Sequence, residues 1–320
     1  MRAVVYQKQG KPEVLEVVEL DKPSVKENEV LIEIGASGIN PVDTYFRSGI
    51  RPVDSFPQIP HFDLAGTIVA VGSVVTKWQP GDRVWGSNIK GTAAEFIAVE
   101  EEQIFPLPSH LSFVDGAALA MAFMTAHLAL FYRANLKKDE KILIYGGAGA
   151  VGHAAIQLAR QTGAYIIATA SNQVKADIAK AAGADEVIIY TEESVTEKVS
   201  IFTENSGLDV ILDVSLSENI DQDLQMLSIG GRIITVGSPK NNTPELPWRL
   251  LNFKNASLLG ILLFTVPKSH QIAAGNEISR LLSEHQLTAL VGKTFRFEEA
   301  DKAHEAVEAH LYNGSVVITP

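Results

Sequence analysis

Three glycines, Gly147, Gly149 and Gly152, stand in the order G-x-G-x-x-G inside Tyr145-Gly146-Gly147-Ala148-Gly149-Ala150-Val151-Gly152. Glycines at this spacing let a chain turn tightly, let backbone approach a pyrophosphate, and let a helix pack closely on a strand. The pattern follows the apolar stretch Ile142-Leu143-Ile144 and opens a segment that reads as a helix, whose first amides would point at phosphates. Ala148, Ala150 and Val151 complete the proposed cradle. A glycine-rich turn with only a structural purpose is the competing reading, and the strand–turn–helix setting favours a dinucleotide.

The next apolar strand sharpens that reading. Sites for NAD commonly end this strand with Asp or Glu, which holds the ribose 2′-hydroxyl. Here the run is Ala168-Thr169-Ala170-Ser171-Asn172-Gln173-Val174-Lys175, with no carboxylate at the tip. Ser171 and Lys175 could instead hydrogen-bond and pair with a 2′-phosphate, which selects NADPH over NADH. The competing reading of Lys175 is a solvated lysine in the first turns of a helix.

These residues require a particular scaffold. After about residue 119, apolar strands at Ile142–Tyr145, Ile166–Thr169, Glu186–Tyr190, Asp209–Asp213, Arg232–Gly237 and Leu258–Leu262 alternate with helical stretches. That alternation predicts βαβ units and a parallel sheet covered on both faces. Before it, short β-branched runs such as Val30–Ile34 and Gly66–Gly72, punctuated by Gln79-Pro80-Gly81-Asp82, predict a compact, turn-rich β domain. An apolar helix is expected from about Gly116 to Phe131 and an amphipathic one at Glu277–His285. The final run Ser315–Thr319 is expected to rejoin the first sheet. The division is therefore 1–119 with 264–320, and 120–263.

Composition narrows the function classes. With 46% apolar and 20% charged residues the chain has ordinary globular usage. A net charge of −11 without a Lys/Arg cluster argues against nucleic acid as a partner. The 320 residues include no cysteine, which excludes disulfides, thiolate metal sites and thiol nucleophiles. The start Met1-Arg2-Ala3-Val4-Val5-Tyr6 has strand character and no secretory pattern. Ala256–Val266, read as the longest apolar run, is too short to span a bilayer. No membrane association and a cytoplasmic location are expected.

Several motifs resemble the quinone oxidoreductase family of the medium-chain dehydrogenase/reductase superfamily, of the zeta-crystallin-like type. They are Asn40-Pro41-Val42-Asp43-Thr44-Tyr45-Phe46-Arg47-Ser48-Gly49, Asp63-Leu64-Ala65-Gly66, Gly81-Asp82-Arg83-Val84, the glycine fingerprint, and Gly230–Ser238. They occur in the family's order over nearly the whole chain. The resemblance implies an α/β fold: a doubly wound Rossmann sheet joined to a GroES-like β-rich catalytic domain.

Related alcohol dehydrogenases hold catalytic zinc on Cys, His and a further Cys or acid. This chain has Asn40 at the first Cys position and Phe62 at the His position, beside Asp63. His61, one residue early, lacks partners for a metal site and is expected as a loop residue near the cleft. Hydride transfer without metal suits quinones and α,β-unsaturated carbonyls, whose conjugation spreads the developing charge.

The resemblance places Asn40 and Tyr45 in the cleft and Thr125 near the nicotinamide, as hydrogen-bonding helpers. Asn40 could instead be a turn residue, Tyr45 ordinary packing, and Thr125 a helix hydroxyl bonded backwards to a carbonyl. Asp43 and Arg47, four apart, read first as a local helix pair. Tyr190, Ser217, Gly237, Ser238, Leu262, Leu263 and Phe264 would line the rest of the cofactor site.

The expected activity is NADPH-dependent reduction of a quinone. The alternatives are NADPH-dependent reduction of activated C=C bonds in 2-alkenals or enoyl esters, and a noncatalytic nucleotide- or RNA-binding protein. A homodimer or homotetramer is expected from the resemblance, with Leu258–Val266 compatible with an exposed strand edge.

Overall fold

The computed structural model describes residues 1–237 and 242–320. It divides into two compact units, Met1–Met124 with Ile272–Pro320, and Thr125–Gln271. These boundaries lie a few residues C-terminal to those read from the sequence.

The chain begins with β1 (Arg2–Tyr6), β2 (Leu15–Glu19), β3 (Glu29–Ile39), α1 (Pro41–Ser48), β4 (Asp63–Val71), β5 (Arg83–Gly86), β6 (Phe96–Glu100), β7 (Ile104–Pro106) and α2 (Phe113–His127). It continues with β8 (Lys141–Ile144), α3 (Ala150–Thr162), β9 (Tyr165–Ala170), α4 (Gln173–Ala182), β10 (Glu186–Ile189), α5 (Val195–Phe202), β11 (Leu208–Asp213), α6 (Leu216–Met226), β12 (Leu227–Thr235), α7 (Trp248–Phe253) and β13 (Ser257–Gly260). The tail adds α8 (Lys268–Ser283), β14 (Val291–Arg296), α9 (Ala300–Glu308) and β15 (Ser315–Thr319).

The second unit is built on a six-stranded sheet in the order β10-β9-β8-β11-β12-β13, parallel throughout. Its central strands are buried on both faces: Ile142–Ile144, Ile166–Ala168 and Val210–Leu212 are 0% exposed. Their sequences are accordingly continuous apolar runs rather than alternating ones. β8 and β11 are neighbours whose chains leave in opposite directions across the sheet. That switch opens a crevice at the carboxyl ends of the strands, where ligands of such sheets bind. Among the described residues β13 pairs only with β12 and forms an edge, with Leu258 37% exposed.

In the first unit, β14-β15-β3-β4-β5-β7 form one sheet and β6 also pairs with β3. β15 lies parallel to β14 and antiparallel to β3, so the last strand joins the first domain's sheet as expected. The core beneath it includes Val30, Ile32, Ile34, Leu64, Ile68 and Val84.

Two helices differ from the sequence reading. The α2 segment starts at Phe113 and runs on through a wider π-wound stretch, Leu128–Arg133. Phe113–Arg133 is long and apolar enough to cross a bilayer, so it, and not Ala256–Val266, is the longer apolar segment; 78% of its most apolar window is buried within the protein. Apolar residues all round a helix are what a core position demands. α8 begins at Lys268, well before Glu277, because Pro267 sets its start.

Candidate functional site

The dinucleotide fingerprint forms the turn between β8 and α3. Its one left-handed residue is Gly146, at φ 68°, which precedes the three fingerprint glycines. The other glycines are spacers. A Cβ on Gly152 would lie 2.2 Å from the Gly146 carbonyl oxygen, and one on Gly147 would lie 2.7 Å from Ala179 Cβ. A Cβ on Gly149 would meet only the Gly146 oxygen, at 3.3 Å, so that glycine leaves open space above the turn. Gly149 is the N-cap of α3, whose first-turn amides, at Ala150, Val151 and Gly152, lack carbonyl partners within the helix. Thr169 holds the turn from β9: its hydroxyl accepts from Gly146 N at 3.0 Å and its carbonyl from Gly147 N at 2.9 Å. Ala148 is buried beneath the turn. The cradle fits a pyrophosphate, because space, free amides and the positive end of the helix dipole coincide.

Ser171 and Lys175 follow β9, as the phosphate reading requires. Asn172 caps α4, its side chain accepting from Lys175 N at 3.0 Å. The Lys175 ammonium forms no ion pair with a described residue, and Ser171 uses its carbonyl, not its hydroxyl, to accept from Thr191 at 3.0 Å. Tyr190 is 53% exposed after β10. Ser217 lies in the first turn of α6, and the Gly237 carbonyl accepts from Leu216 N at 3.2 Å, tying the turns after β11 and β12 together. Leu262 is exposed, Leu263 is buried at 3%, and Phe264 is half-buried, so Leu263 is a core residue rather than an open lining surface. Ser238 lies outside the described residues.

In the first unit, Asn40 caps α1. Its amide nitrogen donates to Asp63 Oδ2 at 2.7 Å, and its backbone N–H to Asp43 Oδ2 at 2.6 Å. Asp63 is a buried acceptor that also takes Ser87 Oγ at 2.6 Å and Met121 N at 3.0 Å. Burial pushes the Asp63 carboxyl up to about 6 against these three donors. Burial, aided by the charge of Asp63, holds Asp43 well above the usual carboxylate range. Asn40 is thus more than a turn residue: it bridges two buried carboxyl groups. Tyr45 is half-buried, and its hydroxyl bonds no described residue. Thr125, in the second unit, is 8% exposed, and its hydroxyl makes no backward bond to a helix carbonyl.

One expectation is corrected. Asp43 and Arg47 do not pair. Arg47, 1% exposed, bonds Glu308 of α9 and donates to the Gly10 carbonyl at 2.6 Å, while Asp43 faces Asn40. Long-range partners displace the helical i,i+4 contact because Arg47 points into the core, where α9 meets α1. His61 lies in a loop, as expected, and is buried at 1%. It sits at φ 72°, with Nδ1 3.1 Å from Ser37 Oγ and Nε2 2.9 Å from His304 Nε2. Burial pushes His61 down to about 3 and His304 well below its usual value, so both rings are neutral.

The sequence reading missed His304, Glu308 and a buried trio at the sheet's carboxyl edge, Tyr145, Asp213 and Asp223. The Tyr145 hydroxyl donates to Asp223 Oδ1 at 2.7 Å. Asp213 and Asp223 are each 0% exposed. The only available signal was acidic residues at an otherwise apolar strand end and on a buried helix face.

Comparison with known proteins follows this geometry. The model of a zinc-binding dehydrogenase matches residues 150–279, and that of an alcohol dehydrogenase GroES-like domain matches residues 26–109. Quinone oxidoreductase of Homo sapiens is 35% identical over 318 residues, covering 96% of this chain and 94% of that protein. The chain belongs to the quinone oxidoreductase family. Among solved structures, an NAD-dependent alcohol dehydrogenase superposes with TM-score 0.93 at 29% identity, over 100% of both chains. Escherichia coli quinone oxidoreductase complexed with NADPH superposes with TM-score 0.89 at 29% identity, again over 100% of both. In this quinone oxidoreductase family member, neither Asn40 nor Phe62 offers the thiolate or imidazole that commonly ligates zinc. Among the described residues no three of His, Cys, Asp or Glu gather as a metal site.

Proposed function

We propose that this protein is an NADPH-dependent reductase of quinones that transfers hydride without a metal. The observation that carries the cofactor reading is the β8–α3 cradle together with Ser171 and Lys175, free of ion pairs and of any carboxylate at the β9 tip. Bound NADPH would supply a hydride. Uptake of that hydride and a solvent proton turns a quinone into its hydroquinone. The chain's part is to orient and to stabilise charge on the acceptor oxygen.

Tyr45, with its unused hydroxyl, is the donor we assign to the acceptor carbonyl, and Thr125 the one for the nicotinamide amide. Asn40 is held by Asp63 and caps α1, the helix that carries Tyr45. A quinone is the acceptor class named for the human and Escherichia coli relatives, and a conjugated acceptor needs no Lewis acid of the kind that Asn40 and Phe62 do not provide.

We also propose a cytoplasmic, homo-oligomeric enzyme. The acidic balance and lack of cysteine fit the first; the exposed edge of β13 fits the second.

The test follows oxidation of reduced nicotinamide by absorbance, with NADPH or NADH, ortho- and para-quinones beside a 2-alkenal, and EDTA present. Fast quinone-dependent NADPH oxidation, slow with NADH, supports the reading. Preference for the alkenal moves the activity to C=C reduction, and tight NADPH binding without turnover would sink the enzymatic reading.

A further inference from the structure

Tyr145 directly follows β8 and Asp213 ends β11, so the two stand on the strands that flank the crevice of the second unit. Asp223, two turns into α6, joins them. Tyr145 Oη donates to Asp223 Oδ1 at 2.7 Å. Asp213 Oδ1 accepts from Ser215 N at 2.5 Å and from Asn219 Nδ2 at 3.2 Å. Gln222 Nε2 reaches the Tyr145 hydroxyl at 3.4 Å and Asn219 Oδ1 at 3.0 Å.

The Oδ2 atoms of both aspartates are buried and receive no donor from any described residue. The two carboxyl groups are joined through Asn219, Gln222 and Tyr145, and the charge of Asp213 acts on Asp223. Two buried carboxyl groups in one network, each with an oxygen that receives no donor, hold one proton as a pair, because two bare charges there would repel. Burial, reinforced by the charge of Asp213, pushes Asp223 up to about 9, so Asp223 carries the proton at neutral pH. Burial also raises Asp213, and Glu218 on α6 adds to it. Tyr145 on β8 is raised by burial and by the two aspartates, and stays a neutral donor. Ser215, Asn219 and Gln222 bring dipoles only.

This trio is tied to both turns that would touch a dinucleotide. Tyr145 leads into Gly146 and the fingerprint. The Asp213 carbonyl accepts from Val236 N at 2.9 Å, and the neighbouring Leu216 N–H holds the Gly237 carbonyl.

We propose that Asp223, through Asp213 and Tyr145, is a positioning residue for the cofactor: the singly protonated pair holds the fingerprint turn and the Ser215–Ser217 turn at the spacing NADPH needs. The proposal rests on the dinucleotide reading of the glycine turn. Loss of the shared proton forces the carboxylates apart and spreads the two turns, so cofactor affinity falls.

The experiment is titration of NADPH and of NADH by fluorescence from pH 6.5 to 10, on the wild type, Asp223→Asn and Asp223→Ala. The Asn side chain supplies the shared hydrogen permanently and still accepts from Tyr145. The wild type is expected to lose at least tenfold in affinity for both cofactors between pH 7.5 and 10, while Asp223→Asn keeps wild-type affinity at pH 7.5 and holds it flat. Asp223→Ala is expected to bind at least tenfold more weakly at every pH. A wild-type fall confined to NADPH would place the pH dependence at the 2′-phosphate contacts, and would overturn the proposal. So would an Asp223→Asn profile that falls like the wild type, or wild-type affinity in Asp223→Ala. Failure of the wild type to bind either cofactor at pH 7.5 would instead overturn the dinucleotide reading itself, and this proposal with it.

Discussion

His61 Nε2 lies 2.9 Å from His304 Nε2, and the two rings stack at 5.2 Å between centroids in a fully buried setting. One nitrogen donates and the other accepts, so the accepting ring must be neutral, and burial keeps both rings so. An unfolded histidine binds a proton near pH 6.5, whereas burial holds folded His61 to about 3. Below about pH 6.5 the unfolded chain therefore binds more protons, and stability falls as pH drops, by up to about 1.4 kcal/mol per pH unit for each ring. Asp43 and Asp63 act with the opposite sign. Raised in the folded state, they contribute stability that is present at low pH and lost as pH rises, through about 6 for Asp63. Asp43 and Asp223 continue to act with that sign between pH 6 and 7, so the histidine contribution is read as a difference between variant and wild type. Thermal melting of His304→Gln is expected to lose less on going from pH 7 to pH 5 than the wild type; parallel curves would refute this account.

Gly149 and Gly152 separate two kinds of damage. A methyl on Gly152 would meet the Gly146 carbonyl oxygen at 2.2 Å, so Gly152→Ala is expected to destabilise the protein by about 1–3 kcal/mol and to abolish NADPH binding. A methyl on Gly149 would sit 3.3 Å from that oxygen and fill the phosphate space. Gly149→Ala is expected to melt within a few degrees of the wild type while binding NADPH at least tenfold more weakly. Calorimetry beside a binding titration distinguishes them.

Lys175 and Ser171 should matter to one cofactor only. Lys175→Ala is expected to raise KM for NADPH about tenfold, equivalent to about 1.4 kcal/mol, and to leave KM for NADH unchanged. An equal rise for both would place the lysine outside the phosphate site. Ser171→Ala should show a smaller shift in the same direction.

Tyr45 and Asn40 are expected to fail differently. The Tyr45 hydroxyl supports nothing in the fold, so Tyr45→Phe should melt like the wild type while kcat/KM for a quinone falls about tenfold. Asn40→Ala strips a donor from buried Asp63 and should cost about 1–3 kcal/mol of stability. Denaturant titration and initial-rate measurements on both variants test the contrast; normal stability in Asn40→Ala would show that water replaces the amide.

Much of the second unit was legible because its signals are local. Strands buried on both faces must be apolar throughout, and the turn after β8 must be glycine-rich, so both show in a short window of sequence. The same window assigned the tight turn to the fingerprint glycines, although the left-handed residue is Gly146, because spacing does not report φ. The side-chain partners of the first unit were not legible. Arg47 finds Glu308 and His61 finds His304 across more than 240 residues, at separations of 261 and 243. No periodicity records such a pair. Asp213 and Asp223 are close in sequence, but their burial in one network is something that only packing reveals.

β15 lies between β14 and β3, which means that the first unit is encoded in two pieces with the whole second unit between them. On a ribosome, Thr125–Gln271 is contiguous and can close as soon as it emerges. The flank of β3 at Ser37–Ile39 must wait for Val316–Ile318. During that interval β3 presents an unpaired, apolar strand edge, the kind of surface that recruits other chains. Slow translation through the last third of the message would lengthen that exposure. A tag fused directly after Thr319 would burden the closing strand itself, whereas one placed before Arg2 would not.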